Sequence, residues 1–226
     1  MGIVMKANEM KCSKTQTLKL AEAKSILMSI KPKWNVLILD GIKKIEVRSK
    51  FCYKWAIEQI EKFGGFWIYD YCTKGKEKLY SDFTENGLQF IIDNKAYGVN
   101  FLNGKVVARF WCDKVKEIEH YPYEAPEHPR GYQIAYDTQT TNWDKLCEMS
   151  CLSRDELFDY LGRNNGYAIH ISKLEVFDKP REINEFYTRN PYTNIDDMFT
   201  DEEQLEDGSW IRPIKKAPQS WCYIEV

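Results

Sequence analysis

Ser29-Ile-Lys-Pro-Lys33, followed by Gly41-Ile-Lys-Lys-Ile-Glu-Val-Arg48, is the stretch whose reading decides the fold. Just upstream, Ser25-Ile-Leu-Met-Ser-Ile30 is a short apolar run suited to a buried strand. Pro32 fits a first helical turn, where its missing N–H costs nothing. The spacing of Trp34, Leu37 and Ile38 then predicts a helix that stops at Gly41. Lys44–Lys50 reads as a second strand. At a period of two, Lys44, Glu46 and Arg48 share one face while Ile45 and Val47 share the other. A basic, acidic, basic comb beside a helix is either a cleft for a polar, phosphorylated ligand or a solvated strand face. In the second case its ion pairs are worth about 0–1 kcal/mol each.

The rest of the chain alternates short strands with short helices. Phe51–Phe63 has helical spacing and ends at Gly64-Gly65, and Phe66–Cys72 is rich in aromatic strand formers. Residues 77–103 read as irregular. Lys105–Val115 is the clearest strand, and a loop with Pro122, Pro126 and Pro129 follows it. Ser153 and Glu156 have the spacing of a capping box, for a helix that stops at Gly162. Tyr167–Phe177 reads as a strand, Pro180–Tyr187 as a short helix and Ser220–Val226 as a closing strand. Thr17–Lys24 is a further helical candidate. This order lacks a βαβ rhythm and predicts an α+β fold, a small mixed barrel decorated by helices.

The 226 residues are 43% hydrophobic and 29% charged, with no apolar run near the ~20 residues a membrane helix needs. No signal peptide is read at the N-terminus. Seven scattered cysteines without a Cys-x-x-Cys favour free thiols in a reducing cytoplasm. With three histidines as well, they give no metal-ligand spacing, and no metal or other cofactor is expected. Charge is uneven. Residues 1–116 hold 21 Lys+Arg against 12 Asp+Glu, whereas residues 117–226 hold 11 against 22. The first half is therefore the one expected to meet an anion, while the overall charge of −2 argues against non-specific duplex binding.

Several motifs together resemble the ASCH domain of the PUA-like superfamily. They are Ser29-Ile-Lys-Pro-Lys33, Gly41-x-Lys43-x-Ile-x-Val-Arg48, Tyr69-x-Tyr-Cys-Thr-Lys74 and Gly104-Lys-Val-Val-Ala-x-Phe-x-Cys-Asp113. Leu152-Ser-x-x-Glu-Leu157, Tyr167-Ala-Ile-His-Ile171 and Trp221-Cys-Tyr-Ile-Glu-Val226 continue the match. The chain looks most like the larger members found in Firmicutes and their prophages. The resemblance implies one PUA-like barrel over 25–226 after a polar extension, 1–24, with insertions at about 77–103, 117–147 and 188–216. It also implies a cleft between the first helix and the barrel that binds RNA or a modified nucleotide.

Some ASCH proteins are amidohydrolases of N4-acetylcytidine, and some have been described as ribonucleases. In the amidohydrolase motif a Lys corresponds to Lys43, and Glu46 stands where those enzymes carry Thr. Their acidic partner corresponds to Glu148. These three are the catalytic candidates if the chain is a metal-independent hydrolase, with Glu46 as base, Glu148 as acid and Lys43 stabilising negative charge. Losing the Thr removes the nucleophile, so the reading leans to binding rather than to an enzyme. Candidate anion contacts are Lys31, Lys43, Lys44, Arg48, Thr73 and Lys74, with Arg48 the best anchor because of its planar fork. Trp34 and Trp67 are stacking candidates, and His170 is read as a structural histidine. A third alternative is an interaction module of phage origin that binds a protein partner through the acidic segment 196–207.

Overall fold

The computed structural model describes residues 24–85, 87–93, 100–122, 132–135, 143–190, 203–204 and 210–225. Along the chain, β1 (Ser25–Ile30) leads through α1 (Pro32–Leu39) to β2 (Ile45–Arg48), α2 (Tyr53–Phe63) and β3 (Phe66–Cys72). Next come β4 (Leu79–Thr84), β5 (Gly87–Ile92), β6 (Asn100–Phe101), β7 (Val106–Cys112), β8 (Val115–Pro122) and β9 (Tyr132–Ala135). Helices α3 (Trp143–Ser150) and α4 (Arg154–Leu161) precede β10 (Gly166–His170) and β11 (Ser172–Arg181). A 3-10 turn (Ile183–Glu185), β12 (Tyr187–Asn190), β13 (Glu203–Gln204), β14 (Trp210–Pro213) and β15 (Trp221–Ile224) follow.

β1 is buried along its whole length because both of its faces are packed, Ile26, Met28 and Ile30 in one cluster and Leu27 in another, and both of its edges are paired. β3 runs parallel to it on one side and β15 antiparallel on the other. The full order of this sheet is β11-β7-β3-β1-β15, and a second, antiparallel sheet has the order β2-β10-β8-β9. The two sheets are continuous through a corner. β7 runs on into β8 past Asp113-Lys114, and β10 runs on into β11 past Ile171. Trp111 therefore faces Ser172 in the first sheet, while Val115 faces Ile169 in the second. Ser172 Oγ donates to the Trp111 carbonyl at 2.8 Å, and the His170 amide donates to the Lys114 carbonyl at 2.9 Å. His170 Nδ1 lies 2.6 Å from Asp113 Oδ1, which gives this histidine the structural place expected of it.

Between the sheets lies a core of Ile26, Met28, Ile30, Phe66, Ile68, Phe110, Val115 and Ile169. The outer face of the second sheet, with Ile45, Val47 and Ala168, is covered by Leu146 of α3 and by Leu157 and Leu161 of α4. The fold is thus the mixed α+β barrel type that the sequence predicts. Helix α1 begins at Pro32, and α4 is closed by a reciprocal capping box. The Glu156 amide donates to Ser153 Oγ at 3.1 Å, and the Ser153 amide donates to Glu156 Oε2 at 3.0 Å. Ser153→Ala is expected to cost about 1 kcal/mol, read as a lower urea midpoint at unchanged slope.

Several expectations need correction. The described residues of 77–103 are not irregular: β4 pairs with both β5 and β6 as a small antiparallel sheet beside α1. The apolar face of β4 is interrupted by Ser81, which hides the alternation. Lys105–Val115 and Tyr167–Phe177 are not single strands, because each turns the corner between the sheets. Pro180–Tyr187 contains only one 3-10 turn. The Thr17–Lys24 helix lies almost wholly outside the described residues, as does the 196–207 segment apart from Glu203 and Gln204.

Candidate functional site

Beside α1, a cleft of about 910 Å³ opens between the two sheets. Its floor is built by β2, whose faces are split by the pleat. Ile45 and Val47 point to the α3–α4 side, while Glu46 and Arg48 point into the cleft. Lys43 joins them from the turn that precedes the strand. Its amide and that of Ile42 donate to the Leu37 carbonyl, which brings the lysine back under the end of α1. Lys43, Glu46 and Arg48 are 2%, 6% and 8% exposed.

The three side chains form one array. Glu46 Oε1 lies 2.9 Å from Arg48 Nη2, and Glu46 Oε2 lies 3.5 Å from Lys43 Nζ. Lys43 Nζ also donates to the Ser150 carbonyl at the end of α3, at 2.5 Å. Arg48 Nη2 donates to the Ser29 carbonyl at 2.8 Å, and Nη1 reaches Ser220 Oγ at 3.5 Å. Burial pushes the Lys43 ammonium below the ordinary lysine range, and the Glu46 carboxylate opposes that shift.

Deeper still lies Asp70, with no exposed surface, on the same face of β3 as Phe66 and Ile68. Asn35 of α1, also fully buried, donates from Nδ2 to Asp70 Oδ1 at 2.7 Å. Burial first, and then the nearby Glu46, raises the Asp70 carboxyl well above the usual carboxylate range; the Asn35 bond and Arg48 pull the other way. Three polar atoms around this point are buried without a hydrogen-bond partner: Asp70 Oδ2, Asn35 Oδ1 and Arg48 Nε.

The rim is mixed in charge. Trp34 forms part of the wall, with Lys33 Nζ 4.1 Å and Lys43 Nζ 5.2 Å from its ring centroid. Lys33 also pairs with Glu156 of α4 at 3.0 Å. Across the lining, Lys31, Lys33, Lys43, Arg48 and Lys50 face the carboxyl groups of Glu46, Glu77, Glu156 and Asp159. The cleft is therefore only slightly cationic, which the basic first half of the sequence does not reveal.

Among the predicted residues, Lys31, Trp34, Lys43, Glu46, Arg48 and Thr73 all line this cleft. Lys44 does not. It is exposed, its amide donates to the Met149 carbonyl, and the β2 ladder begins only at Ile45. The comb is thus Lys43, Glu46 and Arg48. Lys74 is exposed and lies along Gly104, away from the lining. Trp67 is on the opposite face of β3 from Asp70, against Trp111 at 5.1 Å and Arg109 at 4.2 Å. Glu148 is exposed on α3 and does not line the cleft; that helix contributes the Ser150 carbonyl instead.

Sequence reasoning missed Asn35, Asp70, Ser220 and the acidic rim. Among the described residues, no group of three His, Cys, Asp or Glu side chains is placed to hold a metal ion. The six described cysteines are free thiols. No described helix is long and apolar enough to cross a membrane.

No family model matches the sequence, and a comparison with curated proteins found no match. Among solved structures, the chain is similar to ASCH from Zymomonas mobilis, at 12% identity and a TM-score of 0.47, over 90% of each chain. A point mutant of that protein gives 12% identity and a TM-score of 0.45 over 91% of each chain. The N-terminal domain of Staphylothermus marinus McrB matches 71% of this chain and 77% of its own, at 14% identity and a TM-score of 0.35.

Proposed function

We propose that the cleft binds a planar, oxygen-bearing ligand of the nucleotide class, as a free modified nucleotide or as an unstacked base of single-stranded RNA. The observation that carries this reading is the buried Lys43–Glu46–Arg48 array at the foot of the Trp34 wall. A desolvated ion cluster is a weak source of stability, because the hydration it loses offsets most of the attraction. Its donors are also not exhausted. Lys43 has two partners for three N–H groups, and Arg48 Nη1 has one long bond to Ser220. These donors, beside an aromatic wall, suit a ring that stacks while its oxygen accepts hydrogen bonds. The volume is also that of an ordinary small-ligand site. The motif resemblance to ASCH domains supports the same class of ligand.

A hydrolytic reading rests on Lys43, whose burial favours its neutral, basic form. Against it, both Glu46 oxygens are already engaged by cations, and Glu148 is not in the cleft. Turnover of N4-acetylcytidine by the purified protein is the result that would favour hydrolysis over binding.

The test of binding uses a fluorescein-labelled single-stranded oligoribonucleotide and nucleoside monophosphates. Trp34→Leu is expected to weaken binding roughly tenfold or more, the worth of one stacked base. Trp67→Leu, on the far face of β3, leaves affinity unchanged. Equal losses in the two variants, or no binding by the native protein, would overturn the assignment.

A further inference from the structure

We propose that the cleft floor is a proton-gated anion site: it takes an oxyanion onto Arg48 and Lys43 while Asp70 is protonated and gives it up when Asp70 ionises. This rests on the cleft being the ligand site, and it states what that site senses.

Two cations, Lys43 and Arg48, are buried with one carboxylate, Glu46, which touches both. With Asp70 neutral, the floor carries one uncompensated positive charge in a place that water barely reaches. An anion entering the cleft meets the spare donors of Lys43 and Arg48 Nη1 and cancels that charge. Ionising Asp70 supplies a second carboxylate whose charge acts on Arg48, against the repulsion of Glu46. Ligand anion and Asp70 carboxylate thus compete for one role.

The surroundings of Asp70 support this competition. Its ladder neighbours, Met28 on β1 and Ala108 on β7, are apolar. From α1 it receives only the Asn35 amide, and from β2 the charges of Glu46 and Arg48 act on it. On its own strand, the buried Cys72 thiol is raised by burial and by Asp70, so it stays uncharged. Oδ2 has no acceptor or donor against it, which leaves it free to carry the proton. The same features hold the carboxyl neutral above the usual carboxylate range. Once the pH is high enough to ionise this raised carboxyl in the free protein, each anion bound brings one proton back to Asp70.

Lys43 is the other titrating group at the floor. Its lowered value acts in the same direction, because losing its proton also removes an anion contact. Asp70→Asn separates the two, since it keeps the acceptor for Asn35 and abolishes only the Asp70 titration.

The probe is inorganic sulfate, whose own charge is constant over the working range. Thermal shift and calorimetric titration are run from the usual carboxylate range upward to the highest pH at which the protein stays folded. In the native protein, apparent sulfate affinity is expected to fall as pH rises, approaching roughly tenfold per pH unit once Asp70 titrates. Where the affinity falls with pH, calorimetry in two buffers of different ionisation heat should show uptake of about one proton per sulfate. Asp70→Asn is expected to retain the low-pH affinity at the higher pH, and Arg48→Lys to weaken it throughout. A pH-independent affinity, zero proton uptake, or an Asp70→Asn profile that still falls like the native one would each overturn the proposal. So would the absence of sulfate binding at every pH. Oligoribonucleotide binding is scored separately, so the nucleotide reading can survive that failure, and the gating can survive a failure of the nucleotide reading.

Discussion

Glu46→Ala is expected to destabilise the protein by about 3–5 kcal/mol, although it removes only one side chain at a cleft floor. Glu46 is the common partner of Lys43 and Arg48, at 3.5 Å and 2.9 Å, and none of the three is more than 8% exposed. Without it, one ammonium and one guanidinium remain desolvated with only carbonyl and hydroxyl acceptors. Urea unfolding should show a lower midpoint at unchanged slope. The triple variant Lys43→Met, Glu46→Leu, Arg48→Met is expected to lose less than Glu46→Ala alone, since no charge is then left unpaired. A loss under about 1 kcal/mol in Glu46→Ala would mean that water solvates the floor, and the case for a dry ion array would fall with it.

The second large effect is expected at Gly65, which joins α2 to β3. Its φ is +143°, and an added Cβ would lie 2.4 Å from the Cys112 carbonyl oxygen and 2.5 Å from Trp111 Nε1. Cys112 is the first ladder partner of β3, through Phe66, and the Trp111 indole donates to the Gly64 carbonyl at 3.3 Å. Neither obstacle is the loose end of a flexible side chain. Gly65→Ala is therefore expected to cost about 3 kcal/mol or more, the backbone strain adding to the overpacking. Gly64→Ala is the control. It has φ +80° but nothing within 4 Å of its would-be Cβ, so only the left-handed conformation costs, about 1–2 kcal/mol. Comparable melting temperatures for the two variants would contradict the steric account.

Much of the site was legible in β2 itself. A period of two, with Ile45 and Val47 on the core side, places Glu46 and Arg48 together, and the structure keeps that pairing. What misled was the first tooth of the comb. Lys44 fits the alternation on paper, but the ladder begins one residue later and the turn after α1 turns Lys43 inward. Asp70 was readable by the same rule. It shares a face with Phe66 and Ile68, so an acid stands in an apolar register. Asn35 likewise falls three residues after the buried Pro32 and three before Ile38, on the packed stripe of α1. Glu156, Asp159 and Ser220 carry no such local sign. They reach the cleft only because α4 and the segment before β15 are folded against it, which sequence spacing cannot express. The corner at Asp113-Lys114 and Ile171 was hidden for a related reason: strand propensity continues through it, and only the change of sheet reveals the bend.

The pairing of β1 with β15 also governs when the cleft can exist. Ser25 faces Ile224, and the Ser29 amide donates to the Ser220 carbonyl, a contact that spans nearly the whole described chain. Such distant partners impose a high loop-closure cost, so assembly is expected to be slow for a domain of this size. On the ribosome, β1 waits for its antiparallel neighbour until the intervening residues are made, and Arg48 waits 172 residues for the Ser220 hydroxyl. A nascent chain halted before Ser220 should be unable to recognise its ligand however much of the barrel has formed. Competence arrives only once β15 and the segment before it have been made.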